Sequence, residues 1–107
     1  MQISIKYGYV FLSMPKCAST SVEYEISQYS DGSFTEHPAL KHVNARRYKK
    51  HIEPLFLNKI RRKNIDVVCL VREPIEWLYS WYRYRTREEL ANPKHPNHRN
   101  YTGEVSF

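Results

Sequence analysis

The chain has 107 residues, with 17 Lys or Arg against 11 Asp or Glu and a net charge of +6. Apolar residues make up 41% and aromatic residues 14%, with only 3 glycines, which excludes disordered, low-complexity and collagen-like chains. The length predicts one small domain over residues 1–107, and the charge predicts an anionic partner.

No run approaches the ~18 consecutive apolar residues of a membrane span. The start, Met-Gln-Ile-Ser-Ile-Lys, lacks the basic, apolar and small-residue regions of a secretory signal. Two cysteines, Cys17 and Cys69, are too few for a disulfide scaffold. A reducing, cytoplasmic setting is the simplest expectation.

In chain order, Tyr9 to Met14 is a short β-rich apolar run stopped by Pro15, which predicts a buried strand. Residues Pro15 to Ser19 have turn chemistry. From Thr20 the period becomes helical, with Val22, Ile26 and Tyr29 on one face, and Thr20 with Glu23 has the spacing of a capping box. Ser30 to Pro38 reads as a loop. Val43 to Ile52 predicts a helix with a basic face of Arg46, Arg47, Lys49 and Lys50, and Pro54 opens another helix to about Ile60. Ile65 to Val71 is the clearest strand. Pro74 suits the first turn of a helix running to about Arg87. Asn92 to Gly103 reads as a polar surface loop. The order predicts an α/β fold with a parallel sheet flanked by helices, and a ligand at the carboxyl ends of the strands.

Two turns fall at those ends. The first is Pro15-Lys16-Cys17-Ala18-Ser19-Thr20-Ser21, between a strand and a helix N-terminus. Backbone N–H groups and the helix dipole favour an anion there, and Lys16 and three hydroxyls add to it. Ordinary capping by Ser19 or Thr20, with Lys16 solvated, explains the same residues. The nucleotide P-loop pattern is absent. Cys17 reads as a small loop residue. The second turn is Arg72-Glu73-Pro74, with Ser80 eight residues after the arginine. Arg72 and Ser80 can hold one phosphate between them; a surface pair of Arg72 with Glu73 or Glu76 is the alternative. Trp77, Trp81, Tyr82 and Tyr84 read as core candidates, and Arg83, Arg85 and Arg87 as solvent-facing.

Together the two segments resemble the sulfotransferase family, whose donor is 3′-phosphoadenosine-5′-phosphosulfate (PAPS). Tyr-Val-Phe-Leu-Ser-Met-Pro-Lys-Cys-Ala-Ser-Thr-Ser is similar to the family's 5′-phosphosulfate loop, and Val-Val-Cys-Leu-Val-Arg-Glu-Pro, with Ser80, to its 3′-phosphate motif. The resemblance covers about residues 8–30 and 64–87 and is closest to the bacterial and carbohydrate-directed branches. It implies a P-loop-like, nucleotide-binding transferase. Lys16 would stabilise the leaving charge. Ser19, Thr20 and Ser21, with the backbone of 15–21, would bind the 5′-phosphate, and Arg72 and Ser80 the 3′-phosphate.

The same resemblance implies a carbohydrate or small-molecule acceptor, no metal, and a general base between the motifs. That interval holds His37, His42, His51, Glu36 and Glu53, and His42 is the preferred base. Trp77 stands where the family often has a basic residue. Family domains continue well beyond the second motif, so the expectation is a reduced or truncated donor-binding domain, with pairing of two chains an open possibility.

Two readings compete with this one. A nucleotide kinase with a degenerate phosphate loop needs a metal-binding acid after a strand, and Asp66 sits at the start of its strand. A small nucleic-acid-binding module has the net charge in its favour but no recognised motif. His95 and His98 lack the partners of a metal site. The Arg46–Lys50 and Lys59–Lys63 clusters suit either an anionic polysaccharide or plain solvation.

Overall fold

A computed structural model describes residues 1–60, 64–103 and 105–107. The chain divides into two compact units, Met1–Val71 and Arg72–Phe107.

The first unit is mixed α/β. Strand β1 (Gln2–Ser4) turns back into β2 (Tyr9–Leu12), followed by helix α1 (Ser19–Ile26) and the short strand β3 (Gly32–Ser33). Helix α2 (Pro38–Lys41) and then α3 (Ala45–Arg47) follow, and α3 runs on through a π-helical turn (Tyr48–Ile52) into α4 (Glu53–Ile60). Strand β4 (Asp66–Cys69) completes a four-stranded sheet of order β3-β1-β2-β4.

The expected parallel pairing is present between β2 and β4, with Leu12 opposite Cys69. The sheet as a whole is mixed, which corrects the expectation of a parallel one: β1 runs antiparallel to both β2 and β3. Residues 5–8 are too short a link for a parallel crossover, so β1 and β2 must form a hairpin. Gly8 takes φ 74° in its turn and donates to the Ser4 carbonyl at 2.9 Å.

Register and alternation sort the residues by face. Ile3 lies opposite Val10, and both join Met1, Leu12, Val43 and Tyr48 in the buried apolar cluster. Ile52, Phe56, Ile65 and Val67 pack against it. Gln2 lies opposite Phe11 on the other face, with Ser4 and Ser13 in phase. That face is largely polar, and Gln2, Ser4 and Ser13 are all buried.

The helical segment follows its caps. Asn44 Oδ1 accepts from the Arg47 N–H at 2.9 Å. Pro54, the second residue of α4, has no N–H for the Lys50 carbonyl. The backbone widens just before it, and the Glu53 N–H donates to the Tyr48 carbonyl. Arg46, Arg47, Lys49 and Lys50 are exposed. Of the Lys59–Lys63 cluster, Lys59 lies on the last turn of α4 and residues 61–63 lie outside the described residues.

The second unit is built on α5 (Pro74–Arg85), two residues shorter than the sequence predicts, and on 3-10 turns at Glu88–Ala91 and His98–Asn100. The Glu73 carboxylate caps α5, accepting from the Glu76 N–H at 2.7 Å. Hydrogen bonds from the Glu76 and Ile75 N–H groups hold its pKa below the usual carboxylate value.

The aromatic residues of α5 do not form the expected core, since no residue of that helix is fully buried. They stack on one another instead: Trp77 meets Trp81 edge-on at 6.1 Å, and Trp81 meets Tyr84 at 5.9 Å. Arg83, Arg85 and Arg87 lie over the rings of Tyr79, Trp81 and Tyr84 at 5.9, 5.6 and 5.6 Å. No helix among the described residues is long and apolar enough to cross a membrane.

Candidate functional site

The turn between β2 and α1 holds the non-glycine residues with left-handed backbone among the described residues. Lys16 and Ala18 both take left-handed conformations, φ 64° and φ 56°, with Cys17 between them at negative φ. Side chains rarely adopt this region, and each such residue costs on the order of 1 kcal/mol. A backbone alternating in the sign of φ turns its N–H groups toward one concave side, the geometry of an anion nest.

Helix α1 opens directly from this turn. Ala18 is its N-cap, and no side chain caps the first turn. The expected Thr20–Glu23 capping box does not form, because Glu23 is drawn into the interior. Its Oε1 accepts from the Met1 ammonium at 2.6 Å and from the Ser13 hydroxyl. The first-turn N–H groups, which ordinary capping would have occupied, thus have no side-chain acceptor.

The hydroxyls of the turn divide their roles. Ser19 is buried, and its Oγ donates to the Met14 carbonyl at 2.9 Å, bracing the loop. Thr20 is exposed and accepts from Lys41 Nζ at 3.4 Å. Ser21 is exposed, while Pro15, Lys16 and Cys17 are half-buried.

His42 reaches the same strand end from a distant part of the chain. It follows α2, whose first turn is capped by His37 Nδ1 accepting from the Ala39 N–H at 3.2 Å. The His42 ring places Nδ1 2.8 Å from the Ser13 carbonyl, directly after β2. A carbonyl only accepts, so Nδ1 carries the proton of this contact. The Met1 ammonium also binds the Phe34 and Lys41 carbonyls at 3.0 and 3.1 Å, which fixes the segment leading to His42. Thus Ser13, at the end of β2, carries His42 on its carbonyl and Glu23 on its hydroxyl.

In the second unit Arg72 is exposed, and its guanidinium pairs with Glu76 across one helical turn at 3.4 Å. Such a pair contributes little to stability. Ser80 is half-buried on α5. Asp66 opens β4 opposite Tyr9, at the end of the parallel pair away from Ser13, so it does not supply the acid that a kinase needs beside the loop.

Sequence reasoning does not find Glu23 or Ser13 as parts of this arrangement, nor the left-handed pair. Comparison with models of known protein families, with curated proteins and with solved structures finds no match for the chain.

Proposed function

We propose that the chain binds PAPS and transfers its sulfuryl group to a hydroxyl or amine, on a carbohydrate acceptor. The observation that carries this reading is the β2–α1 turn: an alternating backbone with Lys16 inside it, opening an uncapped helix of eight residues. A turn this strained, without a glycine to ease it, points to a function for the strain. Within the first unit β2 and β4 are neighbouring parallel strands, and the turn with Lys16 follows the carboxyl end of β2, which is where ligands of such sheets bind.

The parts follow from the chemistry. The backbone of residues 15–21 and the exposed hydroxyls of Thr20 and Ser21 bind the 5′-phosphosulfate, while Ser19 braces the loop. Arg72 leaves Glu76 for the 3′-phosphate, which Ser80 also meets. The acceptor oxygen attacks sulfur in line, forming an O–S bond as the bond from sulfur to the bridging phosphate oxygen breaks. Lys16 meets the negative charge left on that oxygen. The acceptor's proton passes to His42 Nε2, whose tautomer is set by the Ser13 carbonyl.

Calorimetric titration with adenosine 3′,5′-bisphosphate tests the reading, beside Lys16→Met, Arg72→Ala and ATP–Mg²⁺. The expected result is saturable binding that each substitution weakens at least ~tenfold, about 1.4 kcal/mol. Absence of binding by the folded chain, or a preference for ATP–Mg²⁺, contradicts it. With donor bound, His42→Ala is expected to lower the rate of transfer to an added sugar without lowering nucleotide affinity.

A further inference from the structure

The polar face of the first unit holds a cavity of about 310 Å³ whose lining includes Gln2, Thr20, Glu23, Ser33, Thr35 and Lys41. Of its lining, the sulfuryl-transfer reading uses Thr20 alone. Gln2 and Glu23 are 0% and 2% exposed and belong to its floor. Gln2 Nε2 donates to Ser33 Oγ at 2.7 Å, but Gln2 Oε1 accepts no hydrogen bond from the described residues. Glu23 Oε1 is fully engaged, whereas Glu23 Oε2 accepts none either. Two buried acceptors without donors, on one cavity floor, are costly unless something that donates sits above them.

Charge narrows what that is. Lys41 Nζ lies 4.0 Å from Glu23 Oε2 and donates to Thr20 Oγ1, so an ammonium already stands at the wall. A cation would satisfy the floor but meet Lys41. An anion would suit Lys41 but face the Glu23 carboxylate and the Gln2 carbonyl oxygen. A hydroxyl does both: it donates to Glu23 Oε2 or Gln2 Oε1 and accepts from Lys41. The hydroxyls of Thr20, Ser33 and Thr35 supply further adaptable partners on the same lining. The volume is near the lower end for small-molecule sites, which suits one sugar ring. We infer that this cavity binds a neutral, hydroxyl-rich ligand of the saccharide class. The inference goes beyond the proposed transferase reading and does not require it, since no nucleotide takes part.

The test is an amide NMR titration of the 15N-labelled full chain with methyl β-D-glucopyranoside and methyl β-D-galactopyranoside. Trimethylammonium chloride and sodium sulfate at matched ionic strength serve as cation and anion probes. The expected result is a saturable shift with at least one glycoside, at roughly millimolar affinity, centred on Gln2, Thr20, Ser33 and Thr35. Thr35→Trp, an exposed position that can plug the cavity mouth, is expected to abolish it with the rest of the spectrum unchanged. Lys41→Met is expected to weaken it by roughly tenfold. Saturation by neither glycoside, which leaves water alone on the floor, overturns the inference. So does saturation by the ammonium or sulfate probe instead, or glycoside shifts that persist in Thr35→Trp.

Discussion

The Met1–Val71 unit keeps polar groups inside, whereas the Arg72–Phe107 unit keeps rings near its surface. In the first, Gln2, Ser4, Ser13, Ser19 and Glu23 are buried beside an apolar cluster on the opposite face of the sheet. In the second, Leu90 is the buried apolar residue among those described, and Ile75, Leu78 and Tyr79 are exposed. Buried polar networks are expensive unless satisfied, so they hold a chain in one arrangement. Stacked rings and cation–π contacts on a helix surface impose far less. The first unit is therefore fit to hold a strained loop, and the second to present arginines.

That contrast can be broken most strongly at Glu23. Glu23→Ala takes from the buried Met1 ammonium its one carboxylate partner among the described residues, leaving it neutral oxygen acceptors, and takes from the Ser13 hydroxyl its acceptor; removing one member of a buried pair costs about 3–5 kcal/mol. Urea denaturation followed by circular dichroism should show most of the stability lost; a change under about 1 kcal/mol contradicts the network.

Next comes a paired substitution. Leu12→Ala, in the core, should cost about 2–5 kcal/mol, and Tyr79→Ala, on the ring surface, about 1 kcal/mol or less. Equal losses would erase the distinction.

A pH experiment sharpens the account of the core. Tyr48 is fully buried, and its hydroxyl bonds none of the described residues. Burial first, and then the Glu53 charge, push its pKa from 10.0 up to about 12. The folded state therefore favours the protonated phenol more than the unfolded state does. The resulting stability is fully present below pH 10.0 and lost as pH rises toward about 12. Tyr48→Phe should reduce the loss of stability across that window while changing neutral-pH stability little. An unchanged alkaline profile argues against it.

The smallest effect belongs to the loop. Ala18→Gly relieves a left-handed alanine, and the gain, after the added freedom of the unfolded chain, is roughly 0.5 kcal/mol. A loss of stability on thermal denaturation would show that Ala18 is not left-handed in solution.

The elements that the sequence reveals are those with local signals. β2 and β4 are apolar runs, α5 has Pro74 at its start, and α4 has Pro54 close behind Glu53. β1 carries no such signal because its buried residues Gln2 and Ser4 are polar, and only pairing explains them, Gln2 with Phe11 and Ser33 and Ser4 with Tyr9. The same holds for the site. The position of Lys16 and the hydroxyls is legible from their place between a strand and a helix. Glu23 misleads, because its spacing from Thr20 suggests a cap while its partners Ser13 and Met1 lie 10 and 22 positions away. The tautomer of His42 depends on a carbonyl 29 positions away, and no glycine marks the left-handed turn at Lys16 and Ala18.

The central claim is that the turn after β2 is an anion cradle made of backbone. The most direct measurement is an amide NMR titration of the full chain with adenosine 3′,5′-bisphosphate, read at residues 16–21. Large, saturable shifts of those amides, lost in Lys16→Met while the fold persists, are the predicted result. Binding that leaves these amides unmoved, or no binding by the folded chain, contradicts it.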